Sequence, residues 1–219
     1  MADTNSVPKA LIVDWGGVLT TPLAASMGGW YSEEGIDGEE FAALMKEWLG
    51  SVAGTDAVTN PVHDLETGRI TAEEFGDRLA ERMRRTDGSP LRAAGLVTRM
   101  FAGFTPEPAM GRVVLRAREH GLRTALLSNS WGLEYPREEW AAMFDLTVIS
   151  GEVGLRKPDP EIYLLAASRL GVRPEECVFV DDLRPNAAAA AALGMVGVHH
   201  VDVDGTVAEL ERIFGVPLR

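Results

Sequence analysis

The alternation of apolar and polar positions changes character twice along the chain. Near the start, the apolar run Ala10-Leu11-Ile12-Val13 stops abruptly at a carboxylate, Asp14. A buried parallel strand reads as just such a short continuous run. Gly16 and Gly17 follow and let the backbone turn sharply beside that carboxylate. Between 21 and 100 the apolar residues recur at helical spacing instead, over Glu39 to Leu49, Ala72 to Met83 and Leu91 to Phe101. Thr71 with Glu74 three residues on predicts a capping box at the start of the middle helix. Gly50-Ser51-Val52-Ala53-Gly54 and Asp87-Gly88-Ser89-Pro90 break the pattern between helices. No strand pattern occurs in this stretch, which reads as a small helical module.

From 104 onward helices and strands alternate. Helix Glu107–His120 leads to strand Arg123–Leu127, and helix Arg137–Met143 to strand Leu146–Ile149. Helix Pro160–Leu170 precedes strand Cys177–Val180, the Ala-rich helix Pro185–Leu193 precedes strand Val196–His200, and Val207–Phe214 closes as a helix. Strands alternating with helices of this length imply βαβ units and a parallel sheet. The first strand must join that sheet, because alone it could not bury both faces. The expected fold is α/β, a Rossmann-like doubly wound parallel sheet formed by 1–20 and 101–219. Residues 21–100 are the helical insertion.

Composition narrows the function classes. An apolar content of 46% and a charged content of 25% are those of an ordinary soluble domain. The formal charge of -12 argues against nucleic acid or an anionic membrane as partner. A small anionic substrate stays compatible, since a local site can be positive within an acidic protein. The single cysteine, Cys177, excludes an intramolecular disulfide framework and reads as a small apolar residue opening a buried strand. No apolar run approaches a membrane span, and the polar start Ala2-Asp3-Thr4-Asn5-Ser6 is unlike a signal peptide. The expectation is a cytoplasmic protein, monomeric or homodimeric.

The strand ends carry the chemistry. The first strand ends at Asp14, strand 123–127 runs into Ser128-Asn129-Ser130, and strand 177–180 ends in Asp181-Asp182. A basic residue, Lys157, lies in Gly154-Leu155-Arg156-Lys157-Pro158-Asp159-Pro160. In a parallel sheet these groups converge on one rim, where ligands of open α/β sheets gather. Two carboxylates there could hold Mg²⁺, a hard ion that prefers oxygen and often shares it with phosphate. A hydroxyl, backbone N–H groups and a lysine would neutralise the remaining phosphate oxygens. Such a rim suits phosphoryl transfer, with Asp14 free to attack phosphorus. Trp15 and Trp131 flank this site and could line a pocket or pack in the core. Trp30 and Tyr31, early in the helical stretch, are further pocket candidates, whereas His63, His199 and His200 lack metal-ligand spacing.

These segments resemble the four motifs of the haloacid dehalogenase (HAD) superfamily. Asp14-Trp15-Gly16-Gly17-Val18-Leu19 resembles motif I, Leu127-Ser128-Asn129 motif II, Lys157 in Arg156-Lys157-Pro158-Asp159-Pro160 motif III, and Val180-Asp181-Asp182 motif IV. The helical insertion, with His63 to Phe75, is similar to a C1-type cap, and Val178 to Gly194 resembles the branch containing the N-terminal domains of soluble epoxide hydrolases. The resemblance implies a Mg²⁺-dependent hydrolase acting on a small phosphorylated metabolite. Asp14 would be the nucleophile forming an aspartyl-phosphate, and Lys157 would hold it electrostatically to the transferring group. Ser128 and the Asn129 backbone would bind phosphate. Asp14, Asp182 and the Gly16 carbonyl would ligate the metal, with Asp181 close by.

One position departs from the pattern. Most phosphatases of the superfamily carry a second Asp two residues after the nucleophile, where this chain has Gly16. That Asp protonates the leaving oxygen and later activates water, a contribution of typically about 10²–10⁴-fold. The leading reading is therefore a phosphatase with a good leaving group or a substitute acid. Alternatives are C–P cleavage of the phosphonoacetaldehyde-hydrolase type, 2-haloacid dehalogenation, and a non-catalytic phosphate-binding or regulatory role. The first needs a cap lysine for a Schiff base, and Lys46 is the only lysine between 21 and 100.

Overall fold

A computed structural model describes residues 8–50 and 60–219. The polar start 2–6 and the breaker residues 51–54 lie outside the described residues. The order of elements is β1 (Ala10–Val13), α1 (Leu23–Glu34), α2 (Gly38–Gly50), α3 (Pro61–Glu66), α4 (Ala72–Arg82), α5 (Leu96–Phe101), α6 (Pro108–Glu119) and β2 (Arg123–Ser128). Then come α7 (Arg137–Trp140), β3 (Leu146–Ile149), α8 (Ser150–Val153), α9 (Pro160–Leu170), β4 (Cys177–Asp181), α10 (Arg184–Ala192), β5 (Val196–His199) and α11 (Val203–Phe214). The five strands form one parallel sheet in the order β3-β2-β1-β4-β5. This is the expected doubly wound α/β sheet, with β1 at its centre.

The period of two along each strand explains why both faces are covered. Leu11, Val13, Leu126, Val178 and Val180 face Val113 and Val114 of α6 and Val207 and Leu210 of α11. Ala10, Ile12, Ala125, Leu127 and Phe179 face Ile162, Tyr163 and Ala166 of α9 and Ala190 of α10. Each fully buried aliphatic side chain of this kind contributes about 1.5–3 kcal/mol, which holds the strand ends in register.

Helices α1–α5 have a core of their own, built on Trp30, Phe41, Trp48, Phe75, Leu79, Leu96 and Met100. Trp131 and Leu133, from the loop after β2, pack against it. The Thr71–Glu74 capping box forms as expected. Helix α3 starts at Asn60, whose side chain accepts from Val62 N and His63 N at 3.1 Å each. The following turn passes through Gly68 (φ +71), where a Cβ would lie 2.5 Å from the Gly151 carbonyl. Glycine there lets the helical insertion rest directly on the end of β3.

Several boundaries differ from those expected. The helix expected over Leu91–Phe101 begins only at Leu96, because Gly95 is left-handed (φ 66) at its N-cap. Helix α1 was not expected, since Ser26, Gly28, Gly29 and Ser32 dilute its apolar spacing. Helix α7 stops at Trp140 rather than Met143. Helix α11 starts at Val203, four residues earlier than expected, because the Asp202 carboxylate accepts from Gly205 N at 2.7 Å. Among the described residues no helix is long and apolar enough to cross a membrane.

Candidate active site

The register of the sheet brings the candidate residues together. Val13 pairs with Leu126 on one side and Val180 on the other. Asp14 and Asp181 therefore leave adjacent strands at the same level, and Asp14 N donates to the Val180 carbonyl at 2.9 Å. The Lys157 ammonium lies between them, 2.8 Å from Asp14 Oδ1 and 2.7 Å from Asp181 Oδ2. It also sits 5.4 Å above the centre of the Phe179 ring. Asn129 fixes the lysine's backbone: its Oδ1 accepts from Lys157 N at 2.8 Å and its Nδ2 donates to Lys157 O at 3.0 Å. The Asn129 side chain thus braces the lysine, which leaves its backbone for the phosphate role implied by resemblance.

The two neighbouring aspartates occupy different environments. Asp181 is wholly buried, and besides Lys157 it accepts from Leu183 N at 2.8 Å and Asn186 Nδ2 at 3.0 and 3.1 Å. Asp182 is half-buried and faces the cavity above Asp14. Its carboxylate lies so close to Gly17 (φ +72) that a Cβ there would come within 2.2 Å of Oδ2. Glycine at 17 is needed both for the left-handed turn and for that approach. The Asp182 carbonyl is held by His199 Nε2 at 3.0 Å.

Ligand oxygens of Asp14, Asp181 and Asp182 all lie within 4.8 Å of one another. Among the described residues they form the one group of three or more His, Cys, Asp or Glu side chains close enough to hold an ion. Three carboxylates against one lysine leave an excess of negative charge. Burial pushes Asp14 up to about 7 despite the Lys157 charge, and repulsion from Asp181 and Asp182 adds to it. Burial and the Asp181 charge raise Asp182 to about 6. An all-oxygen, over-acidic cluster fits a hard divalent cation.

The cluster opens into a cavity of about 360 Å³ between the sheet rim and the helical insertion. Ser128, Asn129, Lys157, Gly16, Trp15 and Trp131 line it. Trp30 does not, being buried in the insertion's own core, and Tyr31 packs beside it. Lys46 is exposed and absent from the cavity wall, whereas Met45 and Leu49 are part of it. The geometry therefore gives no support to a Schiff base there.

Sequence reasoning missed four residues. Asn186, in the first turn of α10, completes the shell of Asp181. Glu66, at the end of α3, accepts from Asn129 Nδ2 at 3.2 Å and pairs with Arg156 Nε at 2.5 Å, tying the insertion to the lysine segment. Tyr135 lines the cavity near Ser128 and Ser130, and burial raises its phenol above the ordinary value. Of these, Arg156, Glu66 and Asn186 lay in segments with a recognisable pattern, and Tyr135 did not.

Comparison with known proteins fits this geometry. The family model "Hydrolase: haloacid dehalogenase-like hydrolase" matches residues 8–194. Acyl-CoA dehydrogenase family member 10 of Mus musculus is 31% identical over 96% of this chain and 19% of that protein. The chain spans between 19% and 39% of the first curated relatives it matches, which include bifunctional epoxide hydrolase 2 of Mus musculus. Sesquiterpene phosphatase astK of Aspergillus oryzae is 28% identical over 94% of this chain and 97% of its own length. A HAD family enzyme of Bacteroides thetaiotaomicron, solved with magnesium and inorganic phosphate, superposes with a TM-score of 0.65 at 22% identity, covering 89% of this chain and 94% of that one. The matched segment takes in β1 through α10, with the ends of β1 to β4, and the chain belongs to the haloacid dehalogenase-like hydrolases.

Proposed function

We propose that the chain is a Mg²⁺-dependent phosphatase of a phosphate monoester, with α1–α5 as the cap over its site. The observation that carries this reading is Lys157 joined to Asp14 and Asp181, with Asp182 within 4.8 Å of both. A relative named as a phosphatase along its whole length supports it. Both near contacts of Asp14, Trp15 N at 2.7 Å and Lys157 Nζ, fall on Oδ1. Oδ2 is then the attacking oxygen. It forms a bond to phosphorus as the ester P–O bond breaks, and the leaving oxygen takes the electron pair. Water then cleaves the acyl phosphate, returning the Asp14 carboxylate and releasing orthophosphate.

Lys157, the Ser128 hydroxyl and the Asn129 N–H hold the phosphoryl oxygens, and Asp181 with Asn186 holds Lys157 in place. Asp14, Asp182 and the Gly16 carbonyl are the groups that would hold Mg²⁺, which when bound supplies charge neutralisation at the phosphoryl group. Gly16 offers no proton, so the leaving oxygen departs unassisted by this position. That favours aryl and other stabilised leaving groups.

Phosphate release from p-nitrophenyl phosphate, with and without Mg²⁺, tests the reading, with Asp14→Asn as control. Mg²⁺-dependent turnover abolished in that variant is the expected result. Equal release from Asp14→Asn, or none from the native chain with Mg²⁺, would overturn it.

A further inference from the structure

The wall of the cavity says what the ester's other half is made of. Beyond the rim, its lining is apolar, with Phe41, Met45 and Leu49 from α2, Met100 and Phe101 from α5, and Trp131. The polar side chains on that wall are few, and they are turned to one another or to the rim. Glu66 takes Arg156 Nε, and Asn186 Nδ2 donates to Asp181. A sugar or amino-acid body placed here would leave most of its hydroxyls or charges unmet. Each unmet group costs roughly tenfold to a hundredfold in affinity.

The mouth is apolar as well. Leu49 on the insertion and Leu183 beside Asp182 both line the cavity, yet are 51% and 57% exposed. Two exposed leucines on opposite borders of one opening are surface that a bound hydrocarbon would cover. The cavity's size is that of a small-molecule site, and its charge is confined to one end.

We propose that the substrate is the phosphate monoester of an apolar alcohol or phenol, its phosphate at Asp14 and its hydrocarbon body in this cavity, covered at the mouth by Leu49 and Leu183. The proposal rests on the phosphatase reading and deepens it.

Binding of n-alkylphosphonates from methyl to octyl, below their micelle concentrations and with Mg²⁺ present, tests it by calorimetry. These compounds cannot be hydrolysed, so binding is read apart from turnover. The dissociation constant falls by about threefold to fourfold per added methylene until the cavity is filled. In Leu49→Glu and Leu183→Glu, both at exposed positions, the octyl-to-methyl affinity ratio collapses by at least tenfold. A flat series beside Mg²⁺-dependent release from p-nitrophenyl phosphate overturns the apolar body and keeps the phosphatase. A steep series with no phosphate release from any ester overturns the chemistry and keeps the apolar site. A steep series unchanged in both variants overturns the assignment to this cavity.

Discussion

The ammonium of Lys157 lies 2.7 Å from the Asp181 carboxylate, and both groups are essentially inaccessible to water. Neither charge is affordable without the other in so dry a place. Lys157→Met strands two buried carboxylates, and the expected loss is about 3–5 kcal/mol of stability. Adding Asp181→Asn to that variant should recover part of it. Urea unfolding of the two single variants and the double variant measures the coupling. Additive losses would mean that the pair is incidental to the fold. Phosphate release by Lys157→Met is expected to fall by about 10²-fold or more, as when one donor to a developing oxyanion is lost.

Asp181 and Asp182 are adjacent in the chain but should respond in opposite ways. Asp182 has its carboxylate towards the cavity, where burial and repulsion from Asp181 disfavour its ionised form. Asp182→Asn should leave the metal-free protein at least as stable. It should weaken Mg²⁺ binding by no less than the about 10–100-fold typical of residues one step removed from a metal. Asp181→Asn should cost about 1–3 kcal/mol through Lys157, Leu183 N and Asn186. Its effect on Mg²⁺ affinity should be the smaller of the two. Calorimetric titration beside thermal melts separates the cases, and a reversed order would assign the metal to Asp181.

The strand ends were legible in the sequence because a strand buried on both faces has to be a short apolar run, and the residue ending each run stands at the rim. Asp14, Ser128 and Asp181-Asp182 all follow from that rule, once the strands are taken as parallel neighbours. What lies above the rim was not legible. Glu66 meets Arg156 ninety residues away, and no local spacing encodes such a pairing. Helix α1 stayed hidden because two glycines and two serines blur its apolar face, while Leu91 to Gly95 mimicked helical spacing without being helical. Tyr135 carries no motif, and its role depends on a loop that brings its phenol back to Ser128. Sheet order is written in local patterns, whereas the helical insertion's seat on the core is written in contacts distant in sequence.

Protons and metal should compete at the acidic cluster. Asp14 is raised to about 7 and Asp182 to about 6 from an ordinary value of 3.8. The folded chain without metal therefore holds more protons than the unfolded chain between pH 4 and 7, and loses stability as pH rises through that window. A bound divalent ion favours the ionised carboxylates and removes that loss. The Mg²⁺-induced rise in melting temperature should be larger at pH 7.5 than at pH 5.5, and Mg²⁺ binding at pH 6.5 should release protons. Buffers of different ionisation enthalpy measure that release. A Mg²⁺ effect equal at both pH values would place the ion away from these carboxylates.

Gly16 and Gly17 look alike in the sequence but permit different substitutions. A Cβ at Gly17 would run into Asp182, whereas one at Gly16 meets nothing within 4 Å, and Gly16 lines the cavity without a left-handed φ. Gly17→Ala should therefore weaken Mg²⁺ binding, while Gly16→Asp should fold as the native chain does. The new carboxyl would stand on the cavity wall next to the nucleophile, in the sequence position from which related phosphatases protonate the leaving oxygen. Turnover of alkyl phosphates should rise by about 10²-fold, the low end of general acid catalysis. Aryl phosphates, whose leaving groups need less help, should gain far less. The measurement is kcat/KM on paired aryl and alkyl phosphates for the native chain, Gly16→Asp and Gly16→Ala, which fills the same space without an acid. A narrowed aryl-to-alkyl ratio in the Asp variant alone would mean that the native site runs without a proton donor at this position. An unchanged ratio would mean that the proton already arrives from another group on the cavity wall, where Tyr135 carries a phenol and Ser128 a hydroxyl.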